Sequence, residues 1–248
     1  IFRDLNLKQK IAEYYFSTDH YPEALDVFLN LMNQSIPGMD LLQKTGYCYQ
    51  RLGDNAKALE YYLKAELFDS SNSWLLKKIA LCYGNIKDFK KSLEYYLELE
   101  RMEPDNMNIV MNAANCYLNL KDYKKALHYY YKVEFNFNEN LRICRPIAWC
   151  LFVLGDFVKS EEYFLKLISS GKANKYDYMN FGHVKWVSGN REEAAELYYK
   201  SINEPDNDFD SFFKGFKDDE TLLLKYGIQA DEIQLLLDYL LFLLKNGL

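Results

Sequence analysis

The sequence predicts an all-α chain of tandem two-helix repeats, and three observations carry that prediction. The 248 residues hold only 5 prolines and 11 glycines, so few positions interrupt a helix. The chain aligns with itself six times at a 34-residue spacing without a gap, over 5–38, 39–72, 73–106, 107–140, 141–174 and 175–208. Within that frame the eighth position is always small (Ala12, Gly46, Ala80, Ala114, Ala148, Gly182), and so is the twentieth (Ala24, Ala58, Ser92, Ala126, Ser160, Ala194). The twenty-fourth is always aromatic (Phe28, Tyr62, Tyr96, Tyr130, Phe164, Tyr198).

Each element follows from the repeat. Apolar residues recur at helical spacing twice per unit, with a break around Arg51–Asn55 and Val153–Phe157. Every unit is therefore expected as two antiparallel helices, close where the two small positions meet, with the aromatic filling the space beside them. Asp54, Asp88, Asp122, Asp156 and Asn190 fall at the start of the second helix, as N-caps. Gly53, Gly155 and Gly189 precede them and permit the turn. Pro146, inside the first helix of the fifth unit, predicts a late start or a kink there. One unit cannot bury its own apolar face, so the array needs neighbours and an end cap. Residues 209–248 are expected as that cap: one or two helices ending at Gly227, then a last helix from Ala230. The last helix carries one stripe of Ile233, Leu236, Leu237, Leu240 and Leu244 and another of Leu235, Tyr239, Phe242 and Leu243. Burial of both is the expected state; the alternative is that the second faces another chain or domain.

On the small, small and aromatic positions at a 34-residue period, residues 5–208 resemble tetratricopeptide repeats. That resemblance implies a right-handed superhelical solenoid, with six repeats over 1–208 and the capping helices after it. The family's fourth-position Trp is missing (Lys8, Leu42, Leu76, Val110, Cys144, Tyr178), and its late Pro survives only as Pro104.

Catalytic chemistry has little support. No phosphate-loop, dinucleotide or serine-hydrolase motif is present, and the three histidines His20, His128 and His183 form no metal-ligand pair. Cys48, Cys82, Cys116 and Cys150 all occupy the tenth position, but successive first helices lie about 10 Å apart, too far for a disulfide; they are expected to pack as small apolar residues. The acidic run Asp206–Asp210 imitates the start of a calcium loop, yet has Ser211 and Lys217 where that loop needs Gly and Glu. Neither metal nor cofactor is expected. The net charge of −6 disfavours nucleic acid and anionic membranes, and no run is apolar enough to span a bilayer. The odd cysteine count without CxxC favours a reducing, cytoplasmic setting. The lack of an initiating Met suggests a trimmed chain or a fragment.

The family's concave face is lined by positions 2, 5, 6, 9, 12 and 13 of each unit, so the resemblance supplies candidates. The first two units contribute a mixed set, Gln9, Glu13, Asp40, Gln43, Lys44, Tyr47 and Arg51. The next three offer Lys77, Lys78, Asn112, Asn115, Arg142 and Arg145 with no carboxylate in those positions, and Trp149, Tyr176, His183 and Trp186 follow. This lining suits an extended peptide, acidic at one end and anchored by a bulky apolar residue at the other. The expected function is thus a non-catalytic protein-interaction scaffold with a protein or peptide partner. A chaperone-tail clamp is matched by Lys77, Asn112 and Arg142 but not by Leu81 or Pro146. Two alternatives remain: a single-stranded RNA binder, and self-assembly as a homodimer through the C-terminal helix.

Overall fold

The computed structural model describes residues 2–136, 141–205 and 208–246. These are all-α. They fall into two compact units, 1–122 and 123–248.

The first unit holds α1 (Phe2–Ser17), α2 (Tyr21–Gln34), α3 (Met39–Arg51), α4 (Asn55–Glu66), α5 (Ser73–Asn85), α6 (Phe89–Met102) and α7 (Met107–Asn119). Consecutive helices pair as hairpins, and α3, α5 and α7 begin 34 residues apart. The turn before α4 uses Gly53 at φ 87°, and Asp54 accepts from the Lys57 amide at 3.0 Å. Asp88 caps α6 in the same way, from Lys91 at 3.2 Å. Lys87 takes the left-handed conformation before it, at φ 65°.

Hairpin packing explains the repeated small and aromatic positions. Ala58 and Tyr62 are fully buried against α3. A Cβ added to Gly46 would lie 2.8 Å from the Tyr62 ring. Gly46→Ala is therefore expected to cost about 1–3 kcal/mol through overpacking, seen as a lower urea midpoint; an unchanged midpoint would mean that Tyr62 can retreat. In the third hairpin Ser92 stands where Ala58 stands in the second, and its hydroxyl donates to the Ala80 carbonyl at 2.8 Å, so the polar atom is buried but satisfied. Many tyrosines stitch the scaffold. Tyr49 stacks on Tyr61 and Tyr83 on Tyr95, with centroids 5.4 and 5.7 Å apart. Tyr95 also donates to Glu66 at 3.1 Å, joining α6 to α4.

The second unit holds α8 (Tyr123–Asn136), α9 (Leu141–Leu154), α10 (Phe157–Ser169), α11 (Lys175–Val187), α12 (Arg191–Ile202), α13 (Phe209–Lys225) and α14 (Ala230–Asn246). The same contacts recur: Ser160 donates to the Ala148 carbonyl at 2.8 Å, and Tyr163 to Glu134 at 2.7 Å. Gly182 is closed off by Tyr198 as Gly46 is by Tyr62.

Three expectations need correction here. Pro146 does not delay α9, which starts at Leu141 and runs on through it; so near the N-terminus its missing N–H removes one ladder bond, to the Arg142 carbonyl. Asn190 precedes α12 but makes no side-chain cap bond, unlike Asp156, which accepts from the Lys159 amide. In α14 one stripe is buried at Ile233, Leu237 and Leu240, while Leu235, Tyr239 and Phe242 of the other remain exposed and Leu243 is half-buried. Asp206 and Asn207 of the acidic run lie outside the described residues. Asp208 caps α13, accepting from the Ser211 amide at 2.7 Å.

Candidate functional site

In the first unit, α1, α3 and α5 enclose a concavity of about 430 Å³. Phe16 and Tyr21 form one side, Asp40, Gln43, Lys44 and Tyr47 line α3, and Trp74 stands at the start of α5. Trp74 is 44% exposed. The Lys78 ammonium, one turn on, lies 4.8 Å from the Tyr47 ring and 5.4 Å from Trp74. Arg51 sits 5.1 Å from the Tyr21 ring and 6.0 Å from Tyr47. Cations over aromatic faces hold the rings at fixed angles and keep the charge at the rim. Tyr21 donates to Asp19, and that bond, helped by burial, pushes its phenol up to about 12. Lys44 is held by Asp40 at 2.8 Å and Glu13 at 3.6 Å.

Lys77 does not present an open charge to this face. Its ammonium donates to both oxygens of Glu103 at 2.8 Å, and Ser73 and Asn106 add donors to the same carboxylate. Those bonds, Lys77 first, hold Glu103 down at about 2. On α7, Asn112 is half-buried and Asn115 exposed.

The second unit departs further from expectation. Arg145 donates Nε and an Nη to the two oxygens of Asp177, both at 2.6 Å, and Asp177 is fully buried. The same carboxylate accepts from the Asn174 amide while the Asn174 side chain accepts from the Asp177 amide, a capping box that starts α11. Hydrogen bonding to Asp177 raises the Arg145 pKa above its ordinary value. Arg145 is thus a structural fork holding α9 to α11. Arg142 is exposed, Trp149 is half-buried beside Phe152, and Tyr176 is exposed under the Lys175 ammonium.

His183 and Trp186 are not open lining, because α13 packs over them. Phe216 of α13 meets the His183 ring edge-on at 5.0 Å and Trp186 at 6.2 Å. The His183 Nδ1 lies within hydrogen-bonding distance of the Tyr198 hydroxyl, at 2.8 Å, while Nε2 faces Asp219 of α13 at 3.5 Å. Just beyond α13, Tyr226 reaches back and donates to the Phe152 and Val153 carbonyls, the latter at 2.6 Å.

Trp74 was missed from sequence. Its signal was present, since it holds the second position of its unit, the position that singled out Tyr176. Tyr47 was noted but grouped with an undistinguished set, because its pairing with Lys78 and Trp74 joins two different units.

A family model described as tetratricopeptide repeat matches residues 83–139, and another of the same description matches 40–72. Among solved structures, the crystal structure of a tetratricopeptide repeat protein from Parabacteroides merdae ATCC 43184 is similar with a TM-score of 0.69 at 18% identity, covering 96% of this chain and 99% of that one. PilF of Pseudomonas aeruginosa gives 0.61 at 17% identity, over 88% of this chain and 100% of its own. MamA from Desulfovibrio magneticus RS-1 gives 0.61 at 16%, over 66% and 93%. Such identities speak for the fold alone. No curated protein matches in sequence.

Proposed function

Since this chain belongs to the tetratricopeptide-repeat family, whose fold serves as a protein-interaction scaffold, we propose that it captures an extended segment of a protein partner on the inner face of its first unit. The observation that carries this is Trp74, a large ring left 44% exposed beside a 430 Å³ concavity and braced by the Lys78 ammonium and by an edge-on contact with Tyr62. Exposed, pre-oriented aromatics of this kind supply most of the binding energy at interfaces. The segment carries a bulky apolar residue that enters between Trp74, Tyr47 and Phe16. A carboxylate beside that residue reaches Lys78 at the rim. The half-buried Asn112 amide on α7 suits peptide backbone.

Lys77 is neutralised by Glu103, which narrows the acidic preference to the neighbourhood of Lys78. That pairing also speaks against a nucleic-acid ligand on this face, which needs a row of available cations. The test is capture of partners from source-cell lysate with the intact chain. Trp74→Ala with Lys78→Glu should lower capture of the specific partner by at least ~10-fold while helicity stays unchanged. Capture equal to that of the parent chain would remove this face from consideration.

A further inference from the structure

The last helix leaves an apolar face uncovered. While α14 buries Ile233, Leu237 and Leu240, its Leu235 and Phe242 stand 72% and 56% exposed. Between this face and α12 runs a groove of about 880 Å³. On the α12 side Ala194, Ala195 and Tyr199 line it, with Trp186. Leu235, Tyr239 and Leu243 form the α14 wall. The rim is acidic. Glu192 and Glu196 project from α12 and Glu232 from α14, against one cation, Arg191, already paired with Glu232. Glu192 and Glu196 have no ion pair among the described residues.

We propose that the groove between α12 and α14 docks an amphipathic helix of a protein partner whose apolar edge is flanked by lysine or arginine. Leu235 lies eight residues before Leu243, about 12 Å at 1.5 Å per residue, or two helical turns. Apolar anchors one turn apart on an incoming helix match that length, as in other helix-in-groove contacts. The two uncompensated carboxylates choose the flanking charge and disfavour an acidic helix. They also disfavour a second copy of this chain: in a two-fold pairing each rim would meet its own like charges. The site uses none of the residues that form the concavity of the first unit.

The probe is a fluorescein-labelled amphipathic peptide of about five helical turns, leucine along one edge and lysine on both flanks. A comparison peptide keeps the leucines and carries glutamate flanks. Each is titrated into the full chain and followed by anisotropy. The lysine peptide should bind at least ~10-fold more tightly than the glutamate peptide, and Glu192→Lys with Glu196→Lys should reverse that preference. Leu235→Ser with Tyr239→Ser changes exposed positions without changing charge, and should weaken the lysine peptide ~10-fold or more. Trp74→Ala should leave it unaffected, which separates this site from the inner face of the first unit. Equal binding of the two peptides, binding of neither, or lysine-peptide binding that survives the serine pair would overturn the proposal. So would a dimer in sedimentation that the serine pair dissociates, since that assigns the face to a second copy.

Discussion

Phe216→Ala is expected to destabilise the second unit by about 3–5 kcal/mol, with a fall in its melting temperature on the order of 10 °C. The ring is fully buried and sits among His183, Tyr198, Phe212 and Trp186 at centroid distances of 5.0 to 6.2 Å. Removing it leaves a cavity walled by rings that cannot all shift inward, because Tyr198 is also pinned against Gly182 and bonded to His183. Trp186 emission should move to longer wavelength as water reaches the indole. Leu224→Ala, at an exposed position of the same helix, should change stability by no more than about 0.5 kcal/mol. If both substitutions behaved alike, α13 would not be seated on α11 as described.

The second large effect concerns Arg145→Ala, expected to cost about 3 kcal/mol. Breaking a buried pair by deleting one partner leaves the other charge unsatisfied, and Asp177 has no exposure to water. The figure lies at the low end of that range because the Arg145 side chain is 42% exposed and partly screened. Asp177→Asn added to Arg145→Ala removes the stranded charge, so the double variant should be more stable than Arg145→Ala alone. A ligand-contacting arginine would behave otherwise: its loss would leave the denaturation curve in place, and the second substitution would rescue nothing. Equal midpoints for Arg145→Ala and the parent chain would therefore return Arg145 to the lining of an open surface.

Local rules made the scaffold readable. The second helices begin at Tyr21, Asn55, Phe89, Tyr123, Phe157 and Arg191, each one residue after the cap or turn position that the 34-residue frame supplied. Small residues opposite an aromatic are a steric requirement, and steric requirements repeat. The site was only half readable. Position within the repeat singled out Lys77 and Arg145 as lining charges, but their partners Glu103 and Asp177 lie at the thirty-first and third positions, outside the lining set, so the charges looked unopposed. The docking of α13 onto His183 and Trp186 was not readable, because it is a long-range contact with no periodic signature. Asn190 failed as a cap although its position was right, which shows that residue type and place do not fix a side-chain rotamer.

The recurring cysteines have a further consequence. Cys48, Cys82 and Cys116 in the first unit and Cys150 in the second are buried thiols in successive first helices, and burial pushes Cys48 and Cys150 up to about 12 and Cys82 to about 11. A thiol reagent attacks the thiolate, so each sulfur stays silent until its own hairpin opens and the pKa relaxes. The chain thus carries a natural clock in four of its helices. Variants retaining one of these cysteines at a time, with Cys144 replaced, would let labelling rates time the opening of each hairpin without any foreign probe.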